Sequence, residues 1–124
     1  MRPGTSRLPT ASAMKRGDIY FAELPPTRGS EIAMRRPVIV VSNDANNRVA
    51  NTVTVVPVPS NVSKVYPFEV FLPTSDSGLP KDSKAQAQQV RTLSKEHLTG
   101  VRAGKLVKPK LEMLDQALRL HLDL

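Results

Sequence analysis

The 124-residue sequence contains no cysteine. That excludes disulfide staples, thiolate metal sites and cysteine nucleophiles, and it suits a reducing cytoplasm, the expected location. Long apolar runs are also missing. A stretch such as Pro37 to Val41 is far too short to span a bilayer, so no membrane association is expected. The chain has no glycine-rich phosphate loop, no paired histidines at helical spacing and no serine elbow. Its two histidines, His97 and His121, lack a carboxylate or second histidine at ligand spacing and read as surface or packing residues. Neither a metal nor another cofactor is expected.

What the sequence has in excess is positive charge. Eighteen basic residues against eleven acidic ones give +7, with a pI near 10.2. Nucleic acid or an acidic protein segment would each satisfy such a surface, although basic charge can also serve solubility alone. Residues 1–13 carry Arg2 and Arg7 but no apolar core of a secretory signal, so a disordered tail is expected there. Met14 is a candidate start, because structured pattern begins just after it. Residues 14–124 suit a single domain, and the basic excess belongs to that domain.

Along the chain, 17–23 has the β-branched and aromatic content of a strand. Leu24 to Arg35 holds Pro25, Pro26 and Gly29 and reads as a long loop. Pro37 to Ser42 is an apolar run best explained by a strand buried on both faces. Residues 43–48 form a turn or a short helical hop. Thr52 to Val58 makes a third strand, with Pro57 and Pro59 marking its exit or an edge. Phe68 to Leu72 is a fourth, and 73–83 a hairpin or loop. Lys84 to Leu93 supplies one bent or two short strands, although its AQAQQ portion equally suits helix. A short helical turn capped by Ser94 reaches His97. Leu111, Leu114, Leu118 and Leu122 then recur at helical spacing behind Pro109, with Glu112, Asp115 and Arg119 on the other side. Many short strands finished by one helix predict a small, mainly β, barrel-like domain with helical decoration.

The junction from Gly29 to Val38 stands out chemically. Proline disfavours helix in its predecessor, so Arg36 before Pro37 is held extended at the mouth of a buried strand. Its guanidinium offers a fixed set of donors suited to phosphate. Glu31, in the same loop, can fold back beside it. Taken alone, an arginine before a strand is more often an ordinary solvated edge charge.

Taken together, MKRGDIYFAEL at 14–24, GSE then RRPVIVVSND at 29–44, and TVTVVPVPSN at 52–61 resemble the MazF/PemK toxin family. YPFEVFLP at 66–73, GLPKDSKAQAQQVRTL at 78–93 and LDQALRLHLDL at 114–124 continue the resemblance in family order, covering nearly everything after residue 13. It implies an SH3-like antiparallel β-barrel of the PemK/CcdB type with a C-terminal helix, assembled as a homodimer. The implied activity is metal-free, sequence-specific, ribosome-independent cleavage of single-stranded RNA by its own 2′-hydroxyl. A cyclic phosphate and a 5′-hydroxyl result, and an acidic antitoxin inhibits by occupying the same surface. DNA lacks the attacking group.

By the same resemblance, Arg36 matches the catalytic arginine and would stabilise charge on the phosphorane. Glu31 matches an acidic residue and is the candidate base for the 2′-hydroxyl. The chain departs from the family at one point. Where many members carry a threonine after the third strand, this sequence has Pro59, leaving Ser60 to supply the hydroxyl if the strand exit is bent. RNA binding is expected from loops around Lys64, Lys81 and Lys84, with Gln89 and Arg91 near the groove. Tyr66 and Phe68 are candidates for base stacking or, equally, for the core. Two other readings stay open. One is a non-catalytic toxin of the same fold acting on a protein such as gyrase; the other is a degenerate, RNA-binding member disabled by Pro59.

Overall fold

The computed structural model describes residues 14–24, 34–98 and 100–124. The expected tail, most of the 24–35 loop and the candidate base Glu31 lie outside them. Strands β1 (Asp18–Leu24), β2 (Met34–Val40) and β3 (Thr52–Pro57) pair antiparallel in sequence order. Helix α1 (Asp44–Val49) links the last two. It resolves the expected turn or hop in favour of helix because the Asn43 side chain accepts from the Asn46 N–H at 2.8 Å. Strand β2 begins three residues before Pro37, since its ladder with β1 runs out to Leu24 opposite Met34 and gives both Arg35 and Arg36 partners.

Strand β4 (Glu69–Leu72) pairs with β5 (Ser83–Gln86) in a separate two-stranded ladder. Between them lies α2, a single turn over Thr74–Ser77 closed by left-handed Gly78. A 3₁₀ turn at Ala87–Gln89 breaks the Lys84–Leu93 stretch, so that β6 (Arg91–Ser94) is free to pair with β3. The AQAQQ ambiguity is thereby divided between strand and helical turn. A second 3₁₀ turn covers Lys95–His97, but Ser94 does not cap it; the hydroxyl faces the Glu96 carboxylate instead, at 3.4 Å. Strand β7 (Gly104–Lys105), too short to read from the sequence, completes a five-stranded sheet in the order β6-β3-β2-β1-β7. Gly104 is required there. A Cβ on it would come within 2.2 Å of the Ser77 carbonyl oxygen.

The five-stranded sheet buries both faces. Ile19, Ile39, Val41, Val56 and Val58 point to one side, where Val70, Leu72 and Ala85 of the smaller sheet and Ala87 of the following 3₁₀ turn meet them. Tyr20, Ala22, Val38, Val40, Val53 and Val55 point to the other, together with Leu93 and Leu98. The unbroken apolar run of β2 follows directly, because alternate side chains serve two cores. Helix α3 (Lys108–Leu122) closes the first core with fully buried Leu114 and with Ala117. Leu111 and Leu118 pack at its margin, whereas Leu122 is exposed: the last turn runs past the edge of the core. The architecture is the expected mainly antiparallel β fold with short helices and a terminal helix.

Candidate functional site

The end of β2 farthest from the core carries the charged residues. On the ladder with β1, Ala22 faces Arg36 and Glu23 faces Arg35. Alternation puts Phe21 and Arg35 on the same side, and the Arg35 guanidinium lies over the Phe21 ring, 4.5 Å from its centroid. Arg36 is half-buried. The extended backbone that Pro37 demands is supplied by the strand itself.

The exit of β3 comes up beside this end. The Val58 N–H donates to the Pro37 carbonyl at 3.0 Å, and the Pro59 carbonyl accepts from the Lys84 N–H at 3.0 Å. These two bonds fasten the 58–60 segment between β2 and β5. An open pocket of about 180 Å³ forms at the meeting point. Arg35, Arg36, Pro59, Ser60, Lys81 and Ser83 line it, together with buried Val58 and Leu79. The lining includes three cationic residues and two that carry hydroxyls, and as described it contains no carboxylate. Such a lining attracts a phosphate and can orient it through guanidinium and hydroxyl donors.

Arg36, Ser60 and Lys81, widely separated in the sequence, are thus brought together. The other described candidates do not line this pocket. Lys64 adjoins the Tyr66 ring, with its ammonium 5.1 Å from the centroid. Lys84 departs from the expectation of a surface loop. It sits on β5, is only 7% exposed, and pairs with buried Glu69 at 2.9 Å while donating to the Lys64 carbonyl at 2.7 Å. Its ammonium is paired within the fold. Gln89 is exposed on the 3₁₀ turn after β5, and Arg91 is half-buried on β6 opposite Val55.

Glu69 is the best-connected carboxylate near the site. Burial pushes its carboxyl up, but donation from the Gln88 amide, the Tyr66 N–H and Lys84 outweighs that and holds it below the ordinary range. Sequence reasoning missed Arg35, Phe21 and Ser83 as pocket walls. The signal for Arg35 was its adjacency to Arg36; the other two depend on sheet register, which local pattern does not supply.

Residues 15–122 match the family model described as PemK-like, MazF-like toxin of type II toxin-antitoxin system. The chain belongs to this toxin family. Endoribonuclease MazF9 of Mycobacterium tuberculosis is 47% identical over 116 residues, covering 90% of this chain and 98% of that protein. Endoribonuclease EndoA of Bacillus subtilis is 36% identical, covering 90% and 96%. Among solved structures, a mycobacterial endoribonuclease in complex with its cognate antitoxin superposes with a TM-score of 0.75 at 27% identity, over 90% of this chain and 97% of that one. MazF from Deinococcus radiodurans gives 0.74 at 27% identity, with the same coverage. In this MazF/PemK member, Pro59 lines the pocket and has no side-chain hydroxyl, and Ser60 follows it, exposed.

Proposed function

We propose that this toxin is an endoribonuclease that cuts single-stranded RNA at the Arg36 pocket. The observation that carries the reading is the convergence of Arg36, Ser60 and Lys81 on one open pocket whose described lining has no opposing carboxylate. In the reaction, the RNA 2′-oxygen bonds to the adjacent phosphorus and the P–O5′ bond breaks. The 2′-proton passes to a base and a proton is returned to the departing 5′-oxygen, leaving a 2′,3′-cyclic phosphate and a 5′-hydroxyl. Arg36 stabilises the charge that gathers on the non-bridging oxygens; its permanent charge suits that task better than proton donation. Ser60 supplies the hydroxyl that Pro59 lacks, and Lys81 draws the backbone in. Glu31 is the proposed base. The toxin works in the cytoplasm as a homodimer, and an acidic antitoxin tail competes with RNA for the basic surface. Among the described residues no helix is long and apolar enough to cross a membrane.

The Pro59 substitution favours a second reading, a member that binds RNA without cutting it. Incubating purified protein with mixed RNA in chelator and mapping the ends separates the two. Cyclic phosphate and 5′-hydroxyl ends, with a 2′-deoxy linkage left intact, support cleavage. RNA that is bound yet uncut supports the second reading.

A further inference from the structure

Beside the pocket, and outside it, the chain builds a second surface. Tyr66 is 42% exposed and Phe68 half-buried. The rings stack on each other, 5.4 Å between centroids and 7° from parallel. Exposed aromatic pairs on loops are ordinarily loose, but this one is locked from below. The Tyr66 N–H donates to Glu69 at 3.0 Å, and the Glu69 N–H donates to the Tyr66 carbonyl at 2.9 Å. The same carboxylate holds Lys84, which in turn holds the Lys64 carbonyl. One buried ion pair therefore fixes the backbone at Lys64, Tyr66 and Glu69 together. Phe68 lies within that closed stretch.

We infer that the Tyr66–Phe68 pair is a nucleobase-stacking subsite for single-stranded RNA flanking the scissile phosphate, an inference that rests on the RNA-cleaving reading above. Flat, preorganised rings rimmed by cations are what an unpaired base and its phosphate require. The location fits, because Pro59 of the pocket lining accepts a backbone hydrogen bond from Lys84, whose side chain supports the platform. Lys64 lies over the Tyr66 ring in the free protein. An exposed cation–π contact favours that position only about two- to fivefold. A stacked base contributes about 5- to 150-fold in affinity, so it displaces Lys64. The freed ammonium, on its flexible stem, turns to the neighbouring phosphate. Lys84 stays in place, paired to Glu69.

The chain has no tryptophan, so Tyr66→Trp places a single indole reporter on the platform. The probes are a short random-sequence 2′-O-methyl RNA, which cannot undergo 2′-hydroxyl attack, its abasic counterpart, and an acidic peptide. Emission of Tyr66→Trp is expected to be quenched by the RNA and left unchanged by the abasic strand. Tyr66→Ala should raise Kd for the RNA about 5- to 150-fold, with little change on the abasic strand, while Tyr66→Phe binds like wild type. An equal loss on both strands, unchanged affinity in a folded Tyr66→Ala protein, or quenching by the acidic peptide but not RNA would each overturn the subsite. Quenching by RNA in a protein that leaves ordinary RNA uncut would uphold the subsite while sinking the nuclease reading.

Discussion

Glu69 and Lys84 meet at 2.9 Å as diagonal neighbours on the β4–β5 ladder, where Glu69 stands opposite Gln86 and Lys84 opposite Phe71. Their side chains are 1% and 9% exposed, so each charge depends on the other to offset its loss of water. Removing one partner is expected to cost far more than the pair itself is worth. Glu69→Gln and Lys84→Met should each lower unfolding free energy by about 3–5 kcal/mol, and Glu69→Leu with Lys84→Met should recover most of it. Urea titration of the three variants measures this. Additive losses in the double variant would show that the pair is not coupled.

Acid should act through the same carboxylate. Glu69 has its folded pKa held below the ordinary glutamate value, so between the two values the unfolded chain binds more protons and stability rises with pH. Its contribution is fully present above about pH 4.3 and is lost as pH falls through the lower folded value. Asp44, held down chiefly by the Arg16 N–H, acts in the same direction. Thermal melts from pH 6 downward should show wild type losing Tm below about pH 4.3, with a shallower fall in Glu69→Gln. Parallel curves would remove Glu69 from the acid transition.

Helix α3 offers a contrast of magnitudes. Arg16 reaches Asp115 at 2.5 Å, but both side chains are about a third exposed. Leu114, one residue earlier, is completely buried. Asp115→Ala should cost less than about 1 kcal/mol and Leu114→Ala about 2–5 kcal/mol by urea titration. Comparable losses would mean that the helix is held by charge and not by its apolar face.

The elements that the sequence disclosed are those whose local pattern coincides with their burial. Pro37 to Ser42 read as a two-faced strand because Val38 and Val40 serve one core while Ile39 and Val41 serve the other. The terminal helix showed in the leucine spacing, but Leu122 misled: periodicity continues where the core has ended. Strand β7 has two residues and one of them is glycine, too little for any pattern. At the site, Arg36 stood out through its proline and Ser60 through a family position, and both line the pocket. Lys84 was misplaced because a lysine in a polar stretch resembles every surface lysine. Its partner Glu69 is near it only through the register of β4 and β5.

Pro59 makes the hydroxyl question testable. A hydrogen bond to a charged group contributes about 1.5–3 kcal/mol, which corresponds to roughly ten- to a hundredfold in rate. If Ser60 supplies it, Ser60→Ala should slow cleavage by that factor and Pro59→Thr should add little. Single-turnover rates with a fixed RNA compare the two. A silent Ser60→Ala together with a large gain in Pro59→Thr would mark the protein as weakened by its proline.

Arg36 is the residue proposed to stabilise the pentacoordinate phosphate. The most direct test of that role is the single-turnover cleavage rate of single-stranded RNA, in chelator, for wild type and Arg36→Ala at saturating protein. The rate should fall by about 10²–10³ in Arg36→Ala with wild-type Tm, and partway in Arg36→Lys, which keeps the charge but loses the guanidinium fork. Cleavage by a folded Arg36→Ala protein at the wild-type rate would contradict that role.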